Sequence, residues 1–137
     1  MKLIISTIVT AILLFLLGWL FYGVILAGPN HMSTMKLLMR PETDMKMWAI
    51  VVGCILEAFL LSIVYMRTYK GESPFKEGIT YGIMIGILFS VPYVFFMWAS
   101  YRIGYRAVLA DAFGMGFRIL LAGILIGLVF GKKKIEA

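Results

Sequence analysis

The sequence predicts an all-α membrane protein, a bundle of four transmembrane helices in a single domain. Of its 137 residues, 62% are hydrophobic and only 15% are charged, whereas soluble domains are nearer half apolar and a quarter charged. Four apolar runs each approach or exceed the roughly 20 residues that cross a hydrocarbon core as a helix. The length therefore suits one four-span domain and provides no separate soluble catalytic domain.

The four predicted spans cover residues 3–27, 47–66, 77–98 and 107–130. The first run is about twice as long as the apolar part of a secretory signal, so we expect it to remain as a span. The longest connector, residues 31–46, includes a stretch at 33–39 that suits a short helix in the membrane interface.

The distribution of cations predicts the orientation of the spans. Four spans put both termini on one side, which carries seven Lys and Arg residues against five on the other. Because cations concentrate in cytoplasmic segments, both termini are expected in the cytoplasm. The seven are Lys2, Arg67, Lys70, Lys76, Lys132, Lys133 and Lys134; the five are Lys36, Arg40, Lys46, Arg102 and Arg106.

Small residues at four-residue spacing form a ridge on each of the last two spans. Such ridges let helix backbones approach closely in lipid. Because the two spans run antiparallel, both ridges fall in the same half of the bundle, and we expect them to pack on each other; dimerisation through them is the alternative. The ridges are Gly78, Gly82, Gly86 and Ser90 on the third span, and Gly123, Gly127 and Gly131 on the fourth.

Aromatic residues collect in the other half of the bundle, where Pro92 interrupts the third span. One interpretation is an aromatic vestibule for a ligand, and the other is the ordinary aromatic belt of a membrane interface. The residues at this level are Trp19, Phe21, Tyr22, Trp48, Tyr93, Phe95, Phe96, Trp98, Phe113 and Phe117.

Three ionisable residues lie inside the spans. Glu57 and Arg118 each lie about 15 Å from a span end at 1.5 Å per residue, near the midplane, and Asp111 lies two turns from Arg118 on the same face. A lone charge at that depth costs at least about 2.5 kcal/mol. We therefore expect a Glu57–Arg118 pair, with Asp111 as a second acceptor. The Glu57–Arg118 pair either sets the register of the helices or forms a functional polar layer beneath the aromatic vestibule.

The composition excludes several function classes. A single cysteine, Cys54, and a single histidine, His31, cannot supply a thiol cluster or a multi-histidine metal site. Methionines around His31 suit Cu(I), but flexible side chains meeting lipid explain them better. No nucleophile with a base and no phosphate-binding loop is visible, so we expect no enzyme, no cofactor and no nucleic-acid partner.

The segment 16–23 is followed by Gly28, Met32 and Met35. Together with a pattern in the second half of the sequence, it resembles a small bacterial four-helix membrane protein family, the domain of unknown function seventeen-sixty-one. The second-half pattern consists of Pro92 after a glycine-rich helix, Tyr101, Arg106 and Leu109-Ala110-Asp111-Ala112. The resemblance implies four helices and a bacterial inner (cytoplasmic) membrane location, and it implies no activity. Tyr22 and Asp111 fall on the family pattern, whereas Glu57 and Arg118 do not match it.

The leading functional prediction is a non-enzymatic protein that binds a small amphipathic or lipid-like ligand, as an accessory unit of a membrane complex. The expected ligand-binding residues are Glu57, Arg118, Asp111, Trp19, Tyr22, Tyr93 and Trp98. One alternative is a proton-coupled exporter that acts as a homodimer, with Glu57 as the coupling carboxylate. Another is an assembly protein that docks partner helices through its glycine ridges.

Overall fold

The computed structural model describes residues 1–25 and 40–132, which form four long helices. Each is long and apolar enough to cross a membrane, which confirms the all-helical prediction of four such segments. The described elements are α1 (Lys2–Leu20), a π-helical turn (Phe21–Ile25), a 3₁₀ turn (Glu42–Asp44), α2 (Met47–Thr68), α3 (Pro74–Ser100) and α4 (Tyr105–Phe130). The interfacial helix predicted at 33–39 lies outside the described residues.

Pro92 does not interrupt α3, contrary to the prediction. The helix runs without a break from Pro74 to Ser100, with Pro92 inside it. A proline removes one backbone hydrogen bond, but apolar helices with packed neighbours tolerate this loss. Helix α3 also starts three residues before the predicted limit. Pro74 lies in its first turn, where a missing N–H has no cost.

Helices α1, α2 and α4 supply most of the core, while α3 packs against α4 and adds Tyr81, whose hydroxyl donates to the Leu61 carbonyl of α2 at 2.6 Å. Helix α1 contacts both α2 and α4, and α2 contacts α4. The start of α1 and the end of α4 lie together, since Lys2 Nζ donates to the Phe130 carbonyl at 2.6 Å; we call this the termini end. The buried core is built from small and branched side chains, among them Ala11, Leu14, Ala58, Ile119, Ala122 and Ile126.

The glycine ridges pack against each other, as predicted. A Cβ on Gly82 would lie 2.8 Å from the Leu120 Cα, and one on Gly123 would lie 2.7 Å from the Gly82 Cα. The backbones of α3 and α4 therefore touch without side chains between them. Gly131 was wrongly included in the ridge: it follows the last residue of α4 with φ 65° and ends the helix.

The turn between α2 and α3 is organised by Glu77, whose role the sequence analysis missed. Its carboxylate accepts hydrogen bonds from four successive backbone N–H groups, those of Lys70, Gly71, Glu72 and Ser73, at 2.7 to 3.2 Å. Gly71 has a positive φ of 83° in this turn, a conformation that glycine adopts readily. Glu77 thus belongs to the first turns of α3 and holds the connector to α2.

Candidate functional site

Arg118 extends from α4 across the bundle interior to α1. Its Nη2 donates a hydrogen bond of 3.2 Å to the Leu14 carbonyl. The guanidinium also lies against Gly18, where an added Cβ would be 3.7 Å from the Arg118 Cζ. A glycine at position 18 therefore gives the guanidinium room beside the backbone of α1.

Glu57 on α2 meets Arg118 at the same level, as predicted, but the contact is loose. The shortest distance between them is 3.8 Å, from Arg118 Nη2 to Glu57 Oε2, which is beyond hydrogen-bond length. The Glu57 side chain is 36% exposed, whereas that of Arg118 is 15% exposed. A single long contact with a partly exposed carboxylate differs from the bidentate pair that locks two helices together.

Asp111 lies on α4, two turns from Arg118, and is almost completely buried, with 3% of its surface exposed. The Tyr93 hydroxyl of α3 donates to Asp111 Oδ2 at 3.3 Å. Tyr22, in the π-helical turn after α1, lies close enough to Asp111, Arg118 and Glu57 to interact with their charges. Five of the seven predicted site residues thus lie in one region, which we call the polar cluster: the Glu57–Arg118 pair, the Tyr93–Asp111 pair, and Tyr22 within electrostatic range of both.

The other two predicted site residues, Trp19 and Trp98, are not enclosed with the polar cluster. Their side chains are 65% and 63% exposed. The expected open vestibule is also filled at its α1–α4 wall, because the Phe21 ring packs against Phe117 and occupies the space beside Gly114. An added Cβ on Gly114 would lie 3.1 Å from the Phe21 ring, so the small residue admits the aromatic one.

Buried hydroxyl groups extend the polar region toward the termini end. Ser6 of α1 and Ser62 of α2 are fully buried and share a hydrogen bond of 2.8 Å. Thr10, one turn further along α1, is also fully buried, and no residue in the described parts of the chain hydrogen-bonds its Oγ1. These three residues are not among the predicted site residues, although the four-residue spacing of Ser6 and Thr10 was a usable signal.

An apolar groove of about 390 Å³ runs between α1 and α2. Its lining includes Phe15, Leu16 and Cys54. Cys54 lies one turn before Glu57 and is close enough to Glu57 and Arg118 to interact with their charges. A second groove, of about 600 Å³, lies between α3 and α4. Neither groove is lined by Glu57 or Arg118, and Cys54 places the first one nearer to them.

Within residues 1–25 and 40–132, no three His, Cys, Asp or Glu side chains are grouped so as to hold a metal ion. Of the residues considered for Cu(I), His31, Met32, Met35 and Met39 lie outside the described residues, whereas Met45 and Met47 lie within them. No protein-family model, curated protein or solved structure matches this chain. The resemblance to the domain of unknown function seventeen-sixty-one therefore stays a prediction.

Proposed function

We propose that this protein is a non-enzymatic, multi-pass membrane protein that binds the polar head of a small amphipathic molecule at the Glu57–Arg118 cluster. The four long apolar helices support the membrane setting. The seven-to-five cation distribution supports termini in the cytoplasm, and the family resemblance supports a bacterial inner membrane. We also propose that the protein acts as an accessory unit of a membrane complex.

The hydrogen-bonding state of Arg118 is the observation that carries this proposal. A guanidinium has five N–H donors, and Arg118 uses one of them on the Leu14 carbonyl. Its Nε is buried, and no described residue accepts a hydrogen bond from it. Unpaired donors in an apolar interior are costly, so Arg118 favours a ligand with an acceptor group, such as a carboxylate, phosphate or carbonyl oxygen.

The groove between α1 and α2 gives the same ligand a place for its apolar part. It leads along Phe15 and Leu16 to Cys54, beside the charged pair. Glu57, with its 3.8 Å contact, is held weakly enough for a headgroup to displace it from Arg118. A head bound to Arg118 and a tail in the groove together define an amphipathic ligand.

The test is native mass spectrometry of the full chain purified in a mild detergent, followed by identification of any small molecule released. We expect wild-type protein to carry a bound species that Arg118→Gln loses. Arg106→Gln is the matched control, because Arg106 is exposed and contacts Tyr105 on its own helix. Empty wild-type protein, or equal occupancy in Arg118→Gln, would contradict the proposal.

A proton-coupled exporter is the second candidate, and the state of Glu57 favours it. Its carboxylate makes one contact with Arg118, at 3.8 Å, so it is not locked in a bidentate pair and suits the role of coupling carboxylate. Such a protein is expected to act as a homodimer, which the same mass spectra would reveal. The helix-docking alternative has lost its support, since Gly78, Gly82, Gly86, Gly123 and Gly127 pack within the chain.

A further inference from the structure

Polar side chains recur along α1 at four-residue intervals. We define the inner face of α1 by six residues with this spacing. Because four residues exceed one turn of 3.6 residues, the strip winds around the helix by about 40° per step, and its central members Ser6, Thr10 and Leu14 are fully buried. At 1.5 Å per residue it is about 30 Å long, close to the thickness of a hydrocarbon core. Its members, all of which the structure describes, are Lys2, Ser6, Thr10, Leu14, Gly18 and Tyr22.

The half of this face near the termini end carries hydroxyl groups. Lys2 lies at the end of the bundle against the Phe130 carbonyl, and Ser6 bonds to Ser62. Thr10 follows, fully buried, with an Oγ1 that no described residue hydrogen-bonds. A buried hydroxyl without a protein partner is the kind of group that internal water satisfies.

The other half of the inner face meets the polar cluster. Arg118 occupies the space beside Gly18, and Tyr22 lies within reach of the charges of Arg118, Glu57 and Asp111. The groups that face Glu57 are therefore Arg118 from α4, Tyr22 from α1, and Cys54 from its own helix.

Leu14 separates these two halves. It is the one apolar side chain among the six residues of the inner face, and none of its surface is exposed. It lies one turn after Thr10, while its own carbonyl holds Arg118. The Leu14 side chain thus stands between the hydroxyl groups and the charged cluster.

We propose that the inner face of α1 is a proton pathway from the termini end to Glu57, closed in this conformation by the Leu14 side chain. Each hydroxyl, with water between successive groups, accepts one proton and releases another, so no group is consumed. The carboxylate of Glu57 accepts the proton near the midplane and passes it on towards the opposite end of α1, where the Tyr22 hydroxyl lies within reach of its charge. An apolar side chain interrupts such a path because it offers neither a donor nor an acceptor.

The test measures proton entry into liposomes that contain the full-length protein and the pH-sensitive dye pyranine, with valinomycin and potassium to prevent charge build-up. We expect Leu14→Ser to raise the proton flux at least about tenfold, since each 1.36 kcal/mol removed from a barrier gives that factor. Leu20→Ser is the matched control, because it introduces the same group on an exposed leucine of the same helix. Leu14→Ala removes the obstruction without adding a hydroxyl and serves if Leu14→Ser fails to fold.

If the flux follows the proposed path, it depends on Thr10 and Glu57, which lie on either side of Leu14 along that path. Thr10→Val and Glu57→Gln, each combined with Leu14→Ser, are expected to return the flux to the wild-type level. Flux equal to wild type in both folded Leu14 variants would overturn the proposal. So would a flux that Leu14→Ser raises and that stays raised when Thr10→Val is added. Proton flux requires no bound ligand, so this result and the mass spectra of the binding test succeed or fail separately.

Discussion

The α3–α4 interface and the polar cluster of α1, α2 and α4 hold helices together in opposite ways. Between α3 and α4 the backbones touch, and an added Cβ on Gly82 or Gly123 would come within 2.8 Å of the facing backbone. In the polar cluster, long side chains span the gap, and Arg118 contacts Leu14 and Glu57 at 3.2 and 3.8 Å.

This difference separates a rigid part of the molecule from an adaptable one. A backbone contact has no rotamers and permits one arrangement, because any shift produces a collision. The guanidinium of Arg118 has donors left over and a partner at long range, so it can change partners without moving a helix. The polar cluster is therefore the region suited to function, and the glycine ridges keep α3 in place on α4.

The largest expected effect breaks the rigid part. Gly123→Ala places a methyl group 2.7 Å from the Gly82 Cα, and because both groups are backbone-anchored, the helices must separate. We expect the free energy of unfolding to fall by about 1–3 kcal/mol or more. Titration with sodium dodecyl sulfate in mixed micelles, followed by circular dichroism, measures it.

Gly53→Ala is the matched control, since nothing lies within 4 Å of a Cβ added there. Alanine has a higher helix propensity than glycine, so the free energy of unfolding should rise by up to about 1 kcal/mol. Equal losses in the two variants would show that the α3–α4 contact does not determine stability.

The second effect concerns the adaptable part. Arg118→Met removes the donor to the Leu14 carbonyl and leaves Glu57 without its cation, which should cost about 2 kcal/mol. Glu57→Gln should cost less than Arg118→Met, because the contact that it removes is 3.8 Å long and Arg118 keeps its hydrogen bond to the Leu14 carbonyl. In a double-mutant cycle, a coupling free energy above about 2 kcal/mol would instead indicate a static pair that sets helix register.

The smallest effects compare two buried hydroxyl groups, that of Ser62 on α2 and that of Thr10 on α1. Ser62→Ala removes the 2.8 Å hydrogen bond to Ser6 and should lower the free energy of unfolding by about 0.6 kcal/mol. Thr10→Val should leave it unchanged or raise it, since no described residue hydrogen-bonds Thr10 Oγ1. A marked loss in Thr10→Val would show that this hydroxyl has a structural partner and would weaken the proton pathway.

Features that depend on residue spacing were predictable. The four long helices, the contact between the glycine ridges and the shared depth of Glu57 and Arg118 all follow from positions along a helix of constant rise. Pro92 was misjudged because a proline is a strong break signal in soluble helices and a weaker one in apolar packed helices.

The amino-acid sequence alone determined that this chain forms four long apolar helices and that three charges lie within them. Only the tertiary structure decided which way each helix face turns. Apolar residues surround most of each helix, so the pattern contains little information about rotation around the helix axis. That rotation exposes Trp19 and Trp98, places the Leu14 carbonyl and Gly18 beside Arg118, and puts the Leu14 side chain between Thr10 and the charges.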